Sequence, residues 1–280
     1  MKDNVFIVVL YNKTCSESST LKKLMKLPLG SETLCVIWNN GPKSIQAEFE
    51  GFFSKESVEC HLFETIDNIS LAKIYNSVFR NFKSKRYIVL DDDSEISYQY
   101  YNALQSISEN EVGMPIIYSN EVVVNPRINN KEYIFKQVIN DNDIIITIGS
   151  GLVIGKNVVS LLREKFADVF DERFKLYGVD TSFCYRLNKI NGAFIKIIPG
   201  FEHSLSRLNK SSDTLKSFRI EERSNDVALQ IRYYFSKREW IPMLSKIVLS
   251  SIKKLLTNKS QQYNIITIFK VFIKGKHERQ

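Results

Sequence analysis

Asp91, Asp92 and Asp93 stand in a row directly after the apolar run Tyr87 to Leu90. A short run of buried-type residues reads as an inner strand of a parallel sheet, and ligands of such sheets bind beyond the carboxyl ends of the strands. Side chains alternate along an extended backbone, so Asp91 and Asp93 share one side and Asp92 takes the other. Two carboxylates held together repel unless something positive lies between them. The usual remedy is a hard divalent cation, Mg2+ or Mn2+, shared with a phosphate. A solvated acidic turn capping the next helix, Tyr98 to Ile107, fits the three residues equally well on their own.

Other residues converge on the same sheet end. The strand Phe194 to Ile198, broken by Pro199 and Gly200, delivers Glu202, His203, Ser204 and Arg207 there. His203 is one of three histidines; it suits a third metal ligand or a diphosphate contact, and equally a satisfied structural group. Tyr11 and Asn12, with Asn39 and Asn40, follow two strands at positions where a nucleoside base could be stacked and hydrogen-bonded, although Asn40-Gly41 is also ordinary turn chemistry. Asn68, Ala72 and Asn76 are spaced by fours along one helix edge that would admit a phosphate or sugar, with Asn68 as the cap. The triplet Gly149, Ser150 and Gly151 allows a close backbone approach to a ligand, or a tight bend. Asp180 sits in the first turn of a helix, where the positive dipole end favours its ionised form.

The elements that must position these groups are legible from periodicity. Apolar runs at Val5 to Leu10, Leu34 to Trp38, Cys60 to Phe63, Val112 to Tyr118, Val122 to Val124 and Ile144 to Ile148 read as strands, and Ser18 to Leu27 as a helix between the first two. Leu71, Ile74, Tyr75, Val78, Phe79 and Phe82 form a buried helical stripe after Asn68. Phe183, Leu187 and Ile190 do the same after Asp180, with a stop at Asn191-Gly192. Asn125 to Asp143 is polar and reads as a surface loop or hairpin. Strand, helix and strand in succession open a parallel α/β sheet.

Composition adds boundaries. The chain has 280 residues, 44% of them hydrophobic, which is ordinary for a globular protein. Its net charge of +8 is uneven: from Leu215 onward there are 14 Lys+Arg against 5 Asp+Glu, while the preceding residues nearly balance. In that basic region Ile241 to Leu256 and Tyr263 to Ile273 are apolar with interspersed lysines. Such helices suit an anionic membrane interface or a dimer face. Cys15, Cys35, Cys60 and Cys184 follow no metal-binding spacing and no signal peptide, so a reduced, cytoplasmic setting is expected. No apolar run approaches the ~20 residues that span a bilayer.

Taken together, these residues resemble the inverting family 2 glycosyltransferases of GT-A fold, and within them the bacterial rhamnosyltransferase-like group that builds surface polysaccharides. The resemblance runs from about Val5 to Arg207. The family's N-x-G-x-A-x-A-x-N helix corresponds to Asn68 to Asn76, with Ser70 in place of the glycine and Ile74 in place of one alanine. Asp91 and Asp93 match its D-x-D motif, and Phe170-Asp171-Glu172, Val179-Asp180 and Arg186 match its F-D-E stretch and acidic catalytic helix. Val179 stands where many members carry a glutamate.

The resemblance implies a Rossmann-like, mostly parallel sheet flanked by helices over residues 1–212, with a basic helical appendage at 213–280. It implies a nucleotide-diphosphate sugar donor held by Tyr11, Asn12, Asn40, Asn68, Asn76, Asp91, Asp92 and Gly151. Asp93 and His203 would hold Mg2+ or Mn2+, and Asp180 would deprotonate a glycan or lipid-linked acceptor. A peripheral position on the cytoplasmic face of the plasma membrane is expected, without nucleic acid as a partner and with oligomerisation left open. Two other readings stand beside it. A nucleotidyltransferase would need a glycine-rich or lysine-bearing phosphate loop where Tyr11, Asn12 and Lys13 stand. A non-enzymatic nucleotide or nucleic-acid binding module would need aromatic stacking platforms, which are sparse in the basic region.

Overall fold

The computed structural model describes residues 1–53, 58–134, 137, 139–140, 143–203 and 213–279. The first half alternates strand and helix: β1 (Lys2–Leu10), α1 (Ser19–Leu24), β2 (Thr33–Asn39), α2 (Gln46–Phe53), β3 (Glu59–Glu64), α3 (Leu71–Asn81) and β4 (Ser84–Asp91). All four strands pair in parallel, with β1 lying between β2 and β4. The chain therefore progresses outward from β1 through β2 to β3 and then returns to the opposite side of β1 for β4. That reversal is the switch point at which open α/β sheets bind ligands, and the aspartates sit on it.

The second half widens the sheet and turns it mixed. After α4 (Tyr98–Leu104) come β5 (Glu111–Ser119) and β6 (Val122–Asn125). Three two-residue strands, β7 (Arg127–Ile128), β8 (Lys131–Glu132) and β9 (Ile145–Ile146), form a separate small sheet. β10 (Leu152–Gly155) then inserts antiparallel between β4 and β5, followed by α5 (Lys156–Phe166), α6 (Val179–Leu187) and β11 (Phe194–Glu202). β11 runs parallel to β5, with a register shift between Ile198 and Phe201 where Pro199-Gly200 interrupts the ladder. The C-terminal part is helical: α7 (Asp213–Tyr234), α8 (Lys237–Leu256) and α9 (Ile265–Lys274).

Alternation along β1 explains the three layers. Val5 and Ile7 belong to one buried cluster together with Ile74 and Val78 of α3, Val158 of α5 and Phe183 of α6. Phe6, Val8 and Leu10 belong to another, with Leu21 of α1 and Tyr100 of α4. Helices thus cover both faces. Ala228 and Leu229 of α7 and Ile268 and Val271 of α9 lie in the first cluster, so these C-terminal helices complete the core rather than hang from it.

Several local expectations are corrected. Asn68 is not the cap of α3: it sits at φ 47, and Ser70 occupies the N-cap position. The Ile144 to Ile148 strand shrinks to β9, because its neighbours leave the sheet on the way to the Gly149-Ser150-Gly151 bend. β10 and α5 carry no expectation from the sequence, although Val158, Val159 and Leu162 form the usual buried stripe.

The C-terminal docking rests on a buried carboxylate. Asp171, 1% exposed, accepts from Arg173 Nε at 2.8 Å and Tyr234 Oη at 2.7 Å, with Arg186 at 3.4 Å. Burial pushes the carboxyl pKa up, but Arg173, Arg186 and Tyr234 outweigh it and hold the group below the usual carboxylate range. Asp171→Ala leaves Arg186 buried without its counter-charge and should cost about 3–5 kcal/mol by urea denaturation. A carboxyl whose folded pKa is depressed contributes stability above its unfolded pKa of about 4 and loses it below. The gap between wild type and variant should therefore close as the pH falls through that range; a gap independent of pH would contradict the assignment.

Candidate active site

At the carboxyl end of β4, Asp91, Asp93 and His203 bring one ligand atom each within 4.8 Å of one another. His203 Nε2 lies 3.5 Å from Asp91 Oδ2, and Nδ1 lies 3.5 Å from Asp93 Oδ1. The expected alternation holds, since Asp92 turns away and meets Lys13 Nζ at 2.9 Å.

Hydroxyl groups set this turn. Thr20 Oγ1 donates to the Asp91 carbonyl at 2.5 Å and accepts from Ser94 N at 2.8 Å, and Ser18 Oγ donates to the Asp92 carbonyl at 2.8 Å. Ser150 Oγ accepts from Asp91 N at 3.2 Å and shares a hydrogen bond of 2.5 Å with Ser94 Oγ. His203 is fixed from β5, its N–H donating to Tyr118 O at 3.1 Å.

The electrostatics call for a cation. Burial pushes the Asp91 carboxyl up to about 7, helped by the charges of Asp93, Asp92 and Asp180. Its side chain nonetheless keeps 43% exposure, so it opens on the cleft. Burial lowers the His203 pKa against the pull of Asp93 and Asp92, which favours the neutral ring that ligates metals. His203 Nδ1 is buried and meets no hydrogen-bond partner among the described residues. A divalent ion among these three groups would satisfy that nitrogen and neutralise the carboxylates together.

Asp180 lies near enough for its charge to act on Asp91. Its Oδ1 accepts from Thr181 N at 2.7 Å and its Oδ2 from Gly149 N at 3.2 Å, so the Gly149 bend orients it. Burial raises its pKa, and the two backbone donors pull the other way. Burial pushes the phenol of Tyr75 on α3 up, and the charges of Asp91 and Asp180 add to it.

The remaining residues expected at a donor site divide. Tyr11 is 50% exposed, and Asn12 follows it at φ 52 with its N–H on Gly41 O at 2.7 Å; both border open space. Asn40 is buried and fully engaged: Oδ1 accepts from Ile69 N and Thr65 Oγ1, each at 2.9 Å, while Nδ2 donates to Ile69 O and to Asn68 Oδ1. Asn40 and Asn68 thus tie the end of β2 to the approach of α3.

Asn76 is likewise taken up internally, pairing through both amide ends with the Phe170 backbone at 2.9 Å; it holds the Phe170 to Glu172 segment and does not face a ligand. Gly151, at φ +85, is a packing bend: an added Cβ would stand 2.6 Å from Pro115 and 2.9 Å from Phe201. Ser204 and Arg207 lie outside the described residues.

Two charged groups near these residues are not marked by the sequence. Lys13 stands in the loop where a phosphate-binding glycine run is absent, and its partner Asp92 becomes visible only in the fold. Asp226, on α7, approaches Gly178 at the start of α6, where a Cβ would fall 1.7 Å from its Oδ1. Gly178 has φ +76, so only glycine suits the position on both counts. Burial raises the Asp226 carboxyl to about 7, with Asp180 and Glu222 adding to it, while Gln230 donates to Oδ1 at 2.6 Å. Nothing in a basic, helical region marks one aspartate as the neighbour of Gly178.

No protein-family model matches the chain, and no curated protein does. Solved structures do resemble it, and they define the fold as that of GT-A glycosyltransferases. TarS of S. aureus aligns at TM-score 0.55 with 18% identity over 85% of this chain, which spans 41% of the length of TarS. The mannosyltransferase PcManGT of Pyrobaculum calidifontis, solved with GDP-Man and Mn2+, aligns at 0.55 with 12% identity over 80% of this chain and 61% of its own. GalNAc-T7, solved with UDP, GalNAc and Mn2+, aligns at 0.53 with 14% identity over 82% and 50%.

Titrating Mn2+ into the protein and following its EPR signal tests the triad. One ion should bind, Asp93→Ala should abolish binding, and His203→Ala should weaken it by at least the ~10–100-fold seen for outer-shell partners. Unaltered affinity in both variants would remove the site.

Proposed function

We propose that this protein is a metal-dependent glycosyltransferase that moves a hexosyl group from a nucleotide-diphosphate sugar to an acceptor hydroxyl with inversion. The observation that carries the reading is the Asp91, Asp93 and His203 triad at the switch point, with the Asp180 carboxyl across the same cleft. The neighbours solved with GDP-Man or UDP and with Mn2+ support both donor class and cofactor. Two carboxylates and one imidazole nitrogen suit Mn2+ better than the all-oxygen preference of Mg2+.

A divalent ion held by the triad would supply the positive charge that stabilises the departing nucleoside diphosphate. The chain's own groups do the rest. Tyr11 and Asn12 border the nucleoside, and Lys13, held on Asp92, adds a cation near the phosphates. Asp180 accepts the proton of the acceptor hydroxyl as its oxygen bonds to the anomeric carbon and the carbon–phosphate-oxygen bond breaks. Its raised pKa makes it a stronger base than a free carboxylate. Asp171 and Glu172 are poorer choices for that role: Asp171 is locked on Arg173 and Tyr234, and Glu172 accepts from Asn76 and Arg80.

Residues 1–212 carry the transferase residues, and α7 and α9 of the 213–280 region complete the core beneath them. The resemblance to the rhamnosyltransferase-like group favours a bacterial surface glycan, free or lipid-linked, as acceptor.

Asp180→Asn preserves size and hydrogen bonding at Thr181 while removing the proton acceptor. Transfer should fall by ~10²–10⁴, with donor and Mn2+ affinity unchanged. Turnover equal to wild type would leave Asp180 only its bonds to Thr181 and Gly149 and refute the mechanism.

A further inference from the structure

Between Trp240 and His277 the chain carries seven lysines and no Asp or Glu. The apolar residues of α8 and α9 in this stretch go two ways. Leu244 and Ile247 of α8 pack on the core, as do Ile268 and Val271 of α9. On the outer side of α8, Ile241, Leu249, Ile252 and Leu256 recur at helical spacing, and Leu249 and Leu256 are 66% and 81% exposed. On α9, Ile266 and Ile273 lie seven residues apart at 78% and 72% exposure.

Ile252 and Leu255 of α8 and Ile266 of α9 line one groove of about 500 Å³, with Glu221, Gln261 and Asn264 as its polar part, so the two stripes meet there. Scattered exposed leucines need no explanation, but a contiguous apolar face shared by two helices does. Exposed lysines border it: Lys246 and Lys253 on α8 and Lys274 on α9, while Lys270 pairs with Glu278.

We propose that this face rests on an anionic lipid bilayer, with the apolar stripes at the acyl boundary and the lysines at the level of the phosphates. Three observations choose this occupant. No helix among the described residues is long and apolar enough to cross a membrane, so the face lies on the surface. The length of the α8 stripe, about 22 Å at 1.5 Å per residue, runs parallel to the helix axis, as an in-plane helix requires. A second copy seated on the same face would oppose lysine to lysine, since the acidic residue of α8, Glu239, stands in its first turn and α9 has none. Anionic headgroups supply the missing complement. The inference stands apart from the catalytic reading, because no residue of the cleft takes part in it.

Co-sedimentation of the full chain with vesicles tests it. The protein should pellet with phosphatidylcholine and phosphatidylglycerol mixed in equal parts and stay in solution with phosphatidylcholine alone. Leu249→Glu combined with Ile266→Glu replaces only exposed side chains, so thermal unfolding should be unchanged while partition falls by about tenfold or more. Lys253→Glu combined with Lys274→Glu should give a similar loss that added salt does not deepen. Failure of the wild type to pellet with anionic vesicles, or equal pelleting with both lipids, would overturn the proposal. So would light scattering that shows a wild-type dimer made monomeric by Leu249→Glu with Ile266→Glu, which would assign the face to a second copy.

Discussion

Mutual repulsion among carboxylates in one cleft is the constraint around which this molecule is arranged. Asp91, Asp92, Asp93 and Asp180 approach closely enough for each of the other three to push the Asp91 pKa up. Left alone, such a cluster would protonate or open the turn that carries it. The fold answers in parts. Lys13 takes Asp92 out of the cluster, backbone N–H groups of Thr181 and Gly149 satisfy Asp180, and His203 stands between Asp91 and Asp93 with a nitrogen lacking a hydrogen-bond partner. What remains is a place for one divalent cation.

Holding that place demands rigidity from elements far apart in sequence. The turn after β4 is pinned by hydroxyls of Ser18, Thr20 and Ser150, which come from the loop before α1 and from the bend before β10. Asn76 fixes the Phe170 segment to α3, and Asp171 passes the connection to Tyr234 on α7. The C-terminal helices are therefore part of the support of the cleft. Asp226 of α7 also packs against Gly178 at the start of α6.

The parts of this arrangement that were legible in the sequence are those encoded locally. Apolar runs located β1, β2, β4 and β5, and period-two alternation separated Asp91 and Asp93 from Asp92. His203 and Asp180 were recognisable because each follows or opens a clear element. Residues whose role depends on a distant partner were not. Asn68 and Asn76 share a helical spacing that suggests one ligand-facing edge, yet Asn68 adopts a left-handed conformation before the helix and Asn76 turns inward to Phe170. Gly151 reads as a ligand approach and proves to be a packing bend, since Pro115 and Phe201 arrive from strands remote in sequence. Asp226 offered no signal at all, because helix periodicity says nothing about what lies opposite a polar position. The apolar, lysine-bordered character of α8 and α9 was plain, whereas the sharing of their inner faces with the sheet core required the fold.

Anomalous diffraction at the manganese edge, from crystals grown with Mn2+, reads the metal place directly. One strong anomalous peak should lie within bonding distance of Asp91 or Asp93 and of His203. A peak elsewhere, or none at the triad, would contradict the assignment.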